Sequence, residues 1–324
     1  MTDQILDVDS LTVDYVLDRG DVRAVDDVSF TLDHGEFLGI VGESGCGKST
    51  LLFAVAQLLA PPAQVTAGSV TFRGANLVGL TDRQLSAVRW KDMSVVMQSA
   101  MNALNPVKSI GAQFKDVLRA HGKPSKQEIR ARSEEVLRMV GIDPVHLRSY
   151  PHQLSGGMRQ RSMIAMAMLF TPDLVIMDEP TSALDVVAQR ALMLQIKELQ
   201  QQYGFAVIFV THDMSLISHY SDQLMVMYAG QIDELGGTRA VFDHPRHPYT
   251  RGLLEAFPSI RGPKTTLRGI PGNPPDLGSP PPGCRFNPRC QHAVDTCFET
   301  APDLFEVGGS LVRCLRVADG SINQ

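Results

Sequence analysis

Gly42-Glu43-Ser44-Gly45-Cys46-Gly47-Lys48-Ser49-Thr50 is the stretch on which the reading of this 324-residue chain turns. It fits G-x-x-x-x-G-K-[ST], follows the apolar run Phe37-Leu38-Gly39-Ile40-Val41 and precedes Leu51-Leu52-Phe53-Ala54-Val55-Ala56. That is the strand, loop and helix context in which such a run cradles phosphates. Glycines let successive N–H groups turn inward, and the helix N-terminus adds its positive end. Lys48 is expected to reach the β- and γ-phosphates of a nucleoside triphosphate, and the Ser49 hydroxyl to ligate Mg²⁺. Cys46 occupies a variable position and reads as a small filler rather than a reactive thiol.

Two further runs complete the chemistry. Leu174-Val175-Ile176-Met177 predicts a buried strand that delivers Asp178 and Glu179 to its polar end. Asp178 is expected in the Mg²⁺ shell and Glu179 as the base that polarises an attacking water, a contribution of roughly 10²–10⁴ in rate. In Leu154-Ser155-Gly156-Gly157-Met158, Ser155 to Gly157 precede a predicted helix from Met158 to about Phe170. A small hydroxyl and free N–H groups at a helix start form an anion site. The chain shows no second phosphate loop for that site to serve, so each copy is expected to lend it to a neighbour's nucleotide.

Taken together, these motifs resemble the ATP-binding cassette family over about residues 11–236, in the family's order, with Met158 in place of the usual signature Gln. The resemblance implies an α/β fold: a P-loop NTPase core with an antiparallel β subdomain and an inserted helical subdomain. It also implies ATP on Gly42 to Thr50, with Ser155, Gly156 and Gly157 closing from the opposite subunit. Gln98 resembles the Q-loop glutamine and His212 the switch histidine; Asp185 in Ser182-Ala183-Leu184-Asp185 resembles the D-loop. Tyr15 is the candidate for stacking on adenine. Catalysis would then fall to Glu179, His212, Gln98 and Lys48, with Mg²⁺ on Ser49, Gln98 and Asp178.

Composition narrows the setting. The chain is 44% hydrophobic and 20% charged with a net charge of −5, ordinary for a globular protein of one large and one smaller domain. No block of Lys or Arg suggests nucleic acid as a partner. No apolar run reaches the roughly 18–20 residues that span a bilayer. The acidic start Met1-Thr2-Asp3-Gln4 lacks a secretion signal. The expected location is the cytosol, with the membrane reached through a partner. Between Thr81 and Pro151 the pattern turns helical, with Leu85, Val88 and Trp90 in one stretch. In another, Ile129, Val136, Leu137 and Val140 face inward, with Lys126, Glu128, Arg130, Arg132, Glu134 and Glu135 on the wet side. This is the expected helical subdomain, about 82–160, within an ATPase domain of 1–258.

Nine of the 20 prolines fall between Pro258 and Pro288, too dense for helix or central strand, and mark a domain boundary near 258. Four of the five cysteines lie beyond it: Cys284, Cys290, Cys297 and Cys314, separated by five, six and sixteen residues. In a reducing compartment such a set points to a metal, either tetrahedral Zn²⁺ or a [4Fe–4S] cluster. The wide intervals lean towards iron–sulfur. A metal staple would also explain how a tail with few apolar residues folds.

The expected tail domain is 259–324, and from His247 onward the resemblance sharpens. His247-Pro248-Tyr249-Thr250-Arg251-Gly252-Leu253-Leu254, Ile270-Pro271-Gly272-Asn273-Pro274-Pro275-Asp276-Leu277 and Gly283-Cys284-Arg285-Phe286-Asn287-Pro288-Arg289-Cys290 resemble the tails of ATPase subunits from bacterial peptide and nickel importers. That resemblance implies a [4Fe–4S] cluster on the four tail cysteines. It also implies a second ATPase subunit of non-identical sequence, two membrane permease subunits and an extracytoplasmic substrate-binding protein, with the chain peripheral on the cytoplasmic face of the inner membrane. The alternative is a soluble cassette ATPase of DNA repair or translation, which would bring coiled coils, tandem cassettes or basic surfaces.

Overall fold

A computed structural model describes residues 3–18, 20–97, 103–182, 184–256 and 269–322. The chain divides into two compact units. Gln98, Ala183 and the boundary at Pro258 lie outside the described residues.

One unit takes in 1–6, 32–37 and 72–211. Its strands β6 (Met93–Val96), β7 (Leu174–Asp178) and β8 (Ala206–Val210) run parallel, with Ser94 opposite Val175 and Val175 opposite Val207. Both β7 and β8 are buried throughout, which is why they read as unbroken apolar runs rather than alternating ones. The helix Val186–Tyr203 leads into β8, and Gly204 stops it in the left-handed conformation at φ 73°.

The same unit holds the helical layer. Ser109 caps the helix Ile110–Ala120 through Ala112, and Ser125 with Glu128 forms a reciprocal capping box at the start of Lys126–Met139. Ile110, Phe114 and Leu118 of the first helix and Ile129, Val136 and Leu137 of the second are buried. Lys126, Glu128, Arg130 and Glu135 are exposed as predicted; Glu134 is half-covered, and so is Arg132. Its guanidinium turns inward and donates to the carbonyls of Met168 and Leu169, closing the end of the helix Gly156–Ala167.

The other unit takes in 7–31, 38–71 and 212–324. Strands β1 (Gln4–Tyr15), β2 (Val22–Asp33) and β4 (Ala63–Phe72) form a sheet in the order β2-β1-β4. The Ser10 N–H meets Ser29 Oγ while the Asp27 N–H meets Thr12 Oγ1, so β1 and β2 run in opposite directions. A second sheet pairs β3 (Phe37–Val41) in parallel with β9 (Gln223–Tyr228). Beyond it come antiparallel partners: β10 (Gln231–Gly237), β12 (Ser310–Val312) and β11 (Phe305–Val307). The tail therefore adds two short strands to the sheet that carries the phosphate loop, and the short helix Leu315–Ala318 follows them.

A bulge in β10 between Ile232 and Glu234 turns Asp233 and Glu234 both inward. Glu234 accepts the N–H groups of Arg246 and His247, fixing the entry to the helix Pro248–Glu255. His247 Nδ1 accepts the Tyr249 N–H, and burial lowers the imidazole pKa to about 3, so the ring is neutral. No helix among the described residues is long and apolar enough to cross a membrane.

Candidate functional site: phosphate loop, acidic strand and thiol pocket

The chain leaves β3 at Gly42, and the helix Lys48–Val55 begins directly after Gly47. At Gly47, φ is 103° and a Cβ would stand 2.2 Å from the Ala24 carbonyl oxygen, so only glycine fits. No side chain caps this helix and no acid lies in its first turn, which leaves its positive end to an anion. The Lys48 side chain is buried and folds back across the loop. Its Nζ donates to the carbonyls of Gly42 at 2.9 Å and Glu43 at 2.8 Å, and lies 3.7 Å from Cys46 Sγ. An ammonium held by neutral carbonyls gains by exchanging them for charged phosphate oxygens. The Cys46 thiol is buried and its pKa raised by that burial, so it stays protonated. Ser49 is half-buried on the first turn of the helix, and the Tyr15 hydroxyl lies 3.1 Å from Thr50 Oγ1.

Glu43 is held at three points. Its N–H donates to the Tyr249 hydroxyl at 2.9 Å, its carbonyl accepts from Lys48, and its carboxylate takes both arms of the Arg289 guanidinium at 2.6 and 2.9 Å. Arg289 is buried over the Tyr228 ring, and its Nε donates to the Pro271 carbonyl. Sequence reading missed this arrangement. Glu43 and Arg289 are 246 positions apart, and no local pattern marks either as a partner of the other.

In the other unit, β7 ends at the buried carboxylate of Asp178, followed by Glu179 at φ 45°. A left-handed glutamate costs about 1–3 kcal/mol and is kept where the surroundings over-determine it; here the Glu179 N–H is fixed on the Val210 carbonyl. Ser155 caps the helix Gly156–Ala167, its Oγ accepting from the Met158 N–H. Gln160 on that helix donates to the Pro180 carbonyl, which ties the Ser155-Gly156-Gly157 turn to the residue after Glu179. Ser155, Gly157, Met158 and Arg161 line a cavity of about 400 Å³ with Asp143 and His146. Asp185 caps the helix Val186–Tyr203 by accepting from the Ala188 N–H. His212 follows β8 and is exposed.

Cys284, Cys290, Cys297 and Cys314 line one small cavity of about 20 Å³. Gly283 aims the first of them: φ is 69°, and a Cβ would stand 2.3 Å from the Cys297 carbonyl oxygen. That carbonyl accepts from the Cys284 N–H at 2.9 Å and from the Asn287 amide at 3.2 Å. Burial pushes the Cys284 thiol up to about 12 and Cys290 to about 11, and raises Cys314. Those three thiols are therefore protonated at neutral pH, and no group of three or more His, Cys, Asp or Glu among the described residues is arranged to hold a metal ion. A thiol-only donor set suits soft metal chemistry, but the pocket would have to widen and shed protons to receive a metal.

The motif order has counterparts among known proteins. A family model described as ABC transporter matches residues 25–182, and one described as oligopeptide/dipeptide transporter, C-terminal region matches 234–297. The oligopeptide transport ATP-binding protein OppD of Haemophilus influenzae is 45% identical over 302 residues, 93% of each chain. The chain belongs to the ABC transporter family. The dipeptide transport ATP-binding protein DppD of Bacillus subtilis is 43% identical over 303 residues, 93% of this chain and 90% of its own. Among solved structures, the dimeric bacterial ABC transporter cassette MJ0796 matches at a TM-score of 0.65 and 27% identity, covering 72% of this chain and 99% of that one. These matches bear out the resemblance to an ABC transporter ATP-binding domain followed by an oligopeptide/dipeptide transporter C-terminal region.

Proposed function

We propose that this ABC chain is the ATP-hydrolysing, energy-coupling subunit of an importer for di- or oligopeptides. It works as an ATPase dimer docked on membrane permeases. The observation that carries the reading is similarity along nearly the whole chain, cassette and tail together, to peptide transport ATP-binding proteins. A soluble cassette ATPase of repair or translation would not account for the tail match at 234–297. The domain division belongs to the same proposal: an ATPase domain of 1–258 with a helical subdomain at about 82–160, and a tail domain of 259–324.

In this reading Lys48 leaves the Gly42 and Glu43 carbonyls for the β- and γ-phosphates, and Glu179 orients the attacking water. His212 and Gln98 complete the catalytic set. Ser155, Gly156 and Gly157 present their helix start to the triphosphate of the opposite subunit, with Asp185 beside that junction and Tyr15 against adenine. Mg²⁺ would be held by the hard oxygens of Ser49, Gln98 and Asp178 and would neutralise charge on the phosphate oxygens. The second ATPase is a non-identical relative. Two permeases and an extracytoplasmic substrate-binding protein complete the assembly, with this chain peripheral on the cytoplasmic face.

The four tail thiols would hold a [4Fe–4S] cluster, a covalent staple for a tail with small apolar clusters such as Val312, Cys314 and Val317 with Val307 and Ile322 against them. What supports this is the convergence of four sulfurs on one cavity. Protein purified without oxygen should be brown and contain iron and sulfide, with Cys290→Ser colourless. Colourless wild type with one zinc per chain would replace the cluster with Zn²⁺. For the transport role, co-expression with candidate permeases should give a membrane complex whose ATPase activity responds to them; indifference to every permease would refute it.

A further inference from the structure

The tail grips the phosphate loop through residues that flank its cysteines. Arg289 immediately precedes Cys290 and holds the Glu43 carboxylate with both arms of its guanidinium. Arg285 immediately follows Cys284 and donates to the Ala229 carbonyl and to the Asp26 carboxylate. Next to Ala229, the Gly230 N–H donates to the Cys46 carbonyl inside the phosphate loop at 2.9 Å. A third tail segment reaches the same place: Pro274, Pro275, Asp276 and Leu277 face Glu43 to Cys46 across a cavity of about 280 Å³.

Glu43 is where these contacts matter. The residue whose carboxylate is clamped by Arg289 is the one whose carbonyl holds Lys48. When Lys48 moves to a phosphate, that carbonyl keeps the Cys46 N–H at 3.3 Å, and Glu43 is further held by the Tyr249 hydroxyl on its N–H and by Arg289 on its side chain. Arg289 is itself held by the Pro271 carbonyl and the Tyr228 hydroxyl, and its peptide is fixed to the thiol pocket by the Arg289 N–H on Phe286 and the Cys290 N–H on Asn287.

We propose that Arg289 is a positioning residue for nucleotide binding: through Glu43 it couples the conformation of the four-cysteine tail pocket to the phosphate loop, so that a change at either is felt at the other. This rests on the ATP-binding reading above. Coupling of this kind is reciprocal: if an ordered tail tightens ATP binding by some factor, ATP orders the tail by the same factor. A contact network modulates such a coupling by roughly 2–30-fold.

The test is equilibrium ATP binding by the full chain carrying Glu179→Gln to suppress turnover, with Arg289→Gln, Glu43→Gln and the double variant compared. Each single change should weaken ATP affinity by roughly 2–30-fold. The double variant should be no weaker than the worse single one, because both remove one interaction. Arg289→Lys, which keeps the charge and loses the fork, should fall between. A second readout does not involve the phosphate loop: hydrogen exchange of the 284–290 amides at saturating ATP. ATP should slow it in the Glu179→Gln chain and leave it unchanged once Arg289→Gln is added. An Arg289→Gln chain that melts earlier but binds ATP with unchanged affinity, or exchange at 284–290 indifferent to ATP in the parent, would overturn the coupling alone. A folded parent that binds ATP no better than its Lys48→Ala counterpart would overturn the ATP reading with it.

Discussion

The phosphate loop and the thiol pocket sit in one compact unit and are assembled in opposite ways. The loop is made within nine consecutive residues, Gly42 to Thr50, and Lys48 finds both carbonyl partners within six positions of itself. The pocket draws on a glycine turn at Gly283, a short helix carrying Cys297 and a cysteine just after β12 at Cys314. A site made from contiguous backbone survives as long as its strand and helix do. One made from separated pieces exists only while each connection is held. The tail holds them by adding β12 to β10 and by packing Phe286 against Tyr228 and Tyr249.

The largest expected effect tests another site built, like the loop, from a contiguous motif, the Asp178–Glu179 strand end of the other unit. Glu179→Gln should keep ATP binding while turnover falls by roughly 10²–10⁴ in steady-state assays; unchanged turnover puts the base elsewhere. On the dispersed side, Gly283→Ala places a Cβ on the Cys297 carbonyl in a left-handed turn. It should cost about 1–3 kcal/mol, read as earlier loss of the 284–314 region in hydrogen exchange while the strands β7 and β8 keep their protection.

The next effect is a pH dependence at the buried cap of the helix Pro248–Glu255. The His247 pKa falls from 6.5 in the unfolded chain to about 3 in the fold, because burial disfavours the charged ring. The folded chain therefore binds fewer protons. The stability that neutral His247 contributes is complete above pH 6.5 and is lost as pH falls from there towards 3. Urea titrations across that window should show the slope, and His247→Gln should flatten it. The smallest effect belongs to the other unit: Ser125→Ala, which removes a capping box on an exposed helix start, should cost about 1 kcal/mol with ATP affinity unchanged.

How much of this was legible follows the same division. The phosphate loop, the Asp178–Glu179 strand end and the Ser155 cap are set by neighbours in sequence, so residue type and spacing were enough to place them on strand, turn and helix. The fully buried β7 and β8 were legible because unbroken apolar runs with polar ends have few other uses. What escaped depended on partners far along the chain. The inward turn of Arg132 is decided by the open carbonyls at Met168 and Leu169, not by its own helix. The bulge that turns Asp233 and Glu234 inward has no signature in a run of seven residues. The strands β11 and β12 have three residues each, too short to show a period of two, and the proline-rich approach hid their return to the sheet. Gln98 and the boundary at Pro258 lie outside the described residues.

The central claim is that hydrolysis needs the serine–glycine turn of one subunit over the triphosphate held by another. The most direct measurement is ATP turnover per chain as the assembly is diluted, with association state followed by light scattering on the same samples. Turnover should track the dimeric fraction and vanish with Lys48→Ala; a strictly monomeric sample that hydrolyses ATP at the full per-chain rate would contradict it.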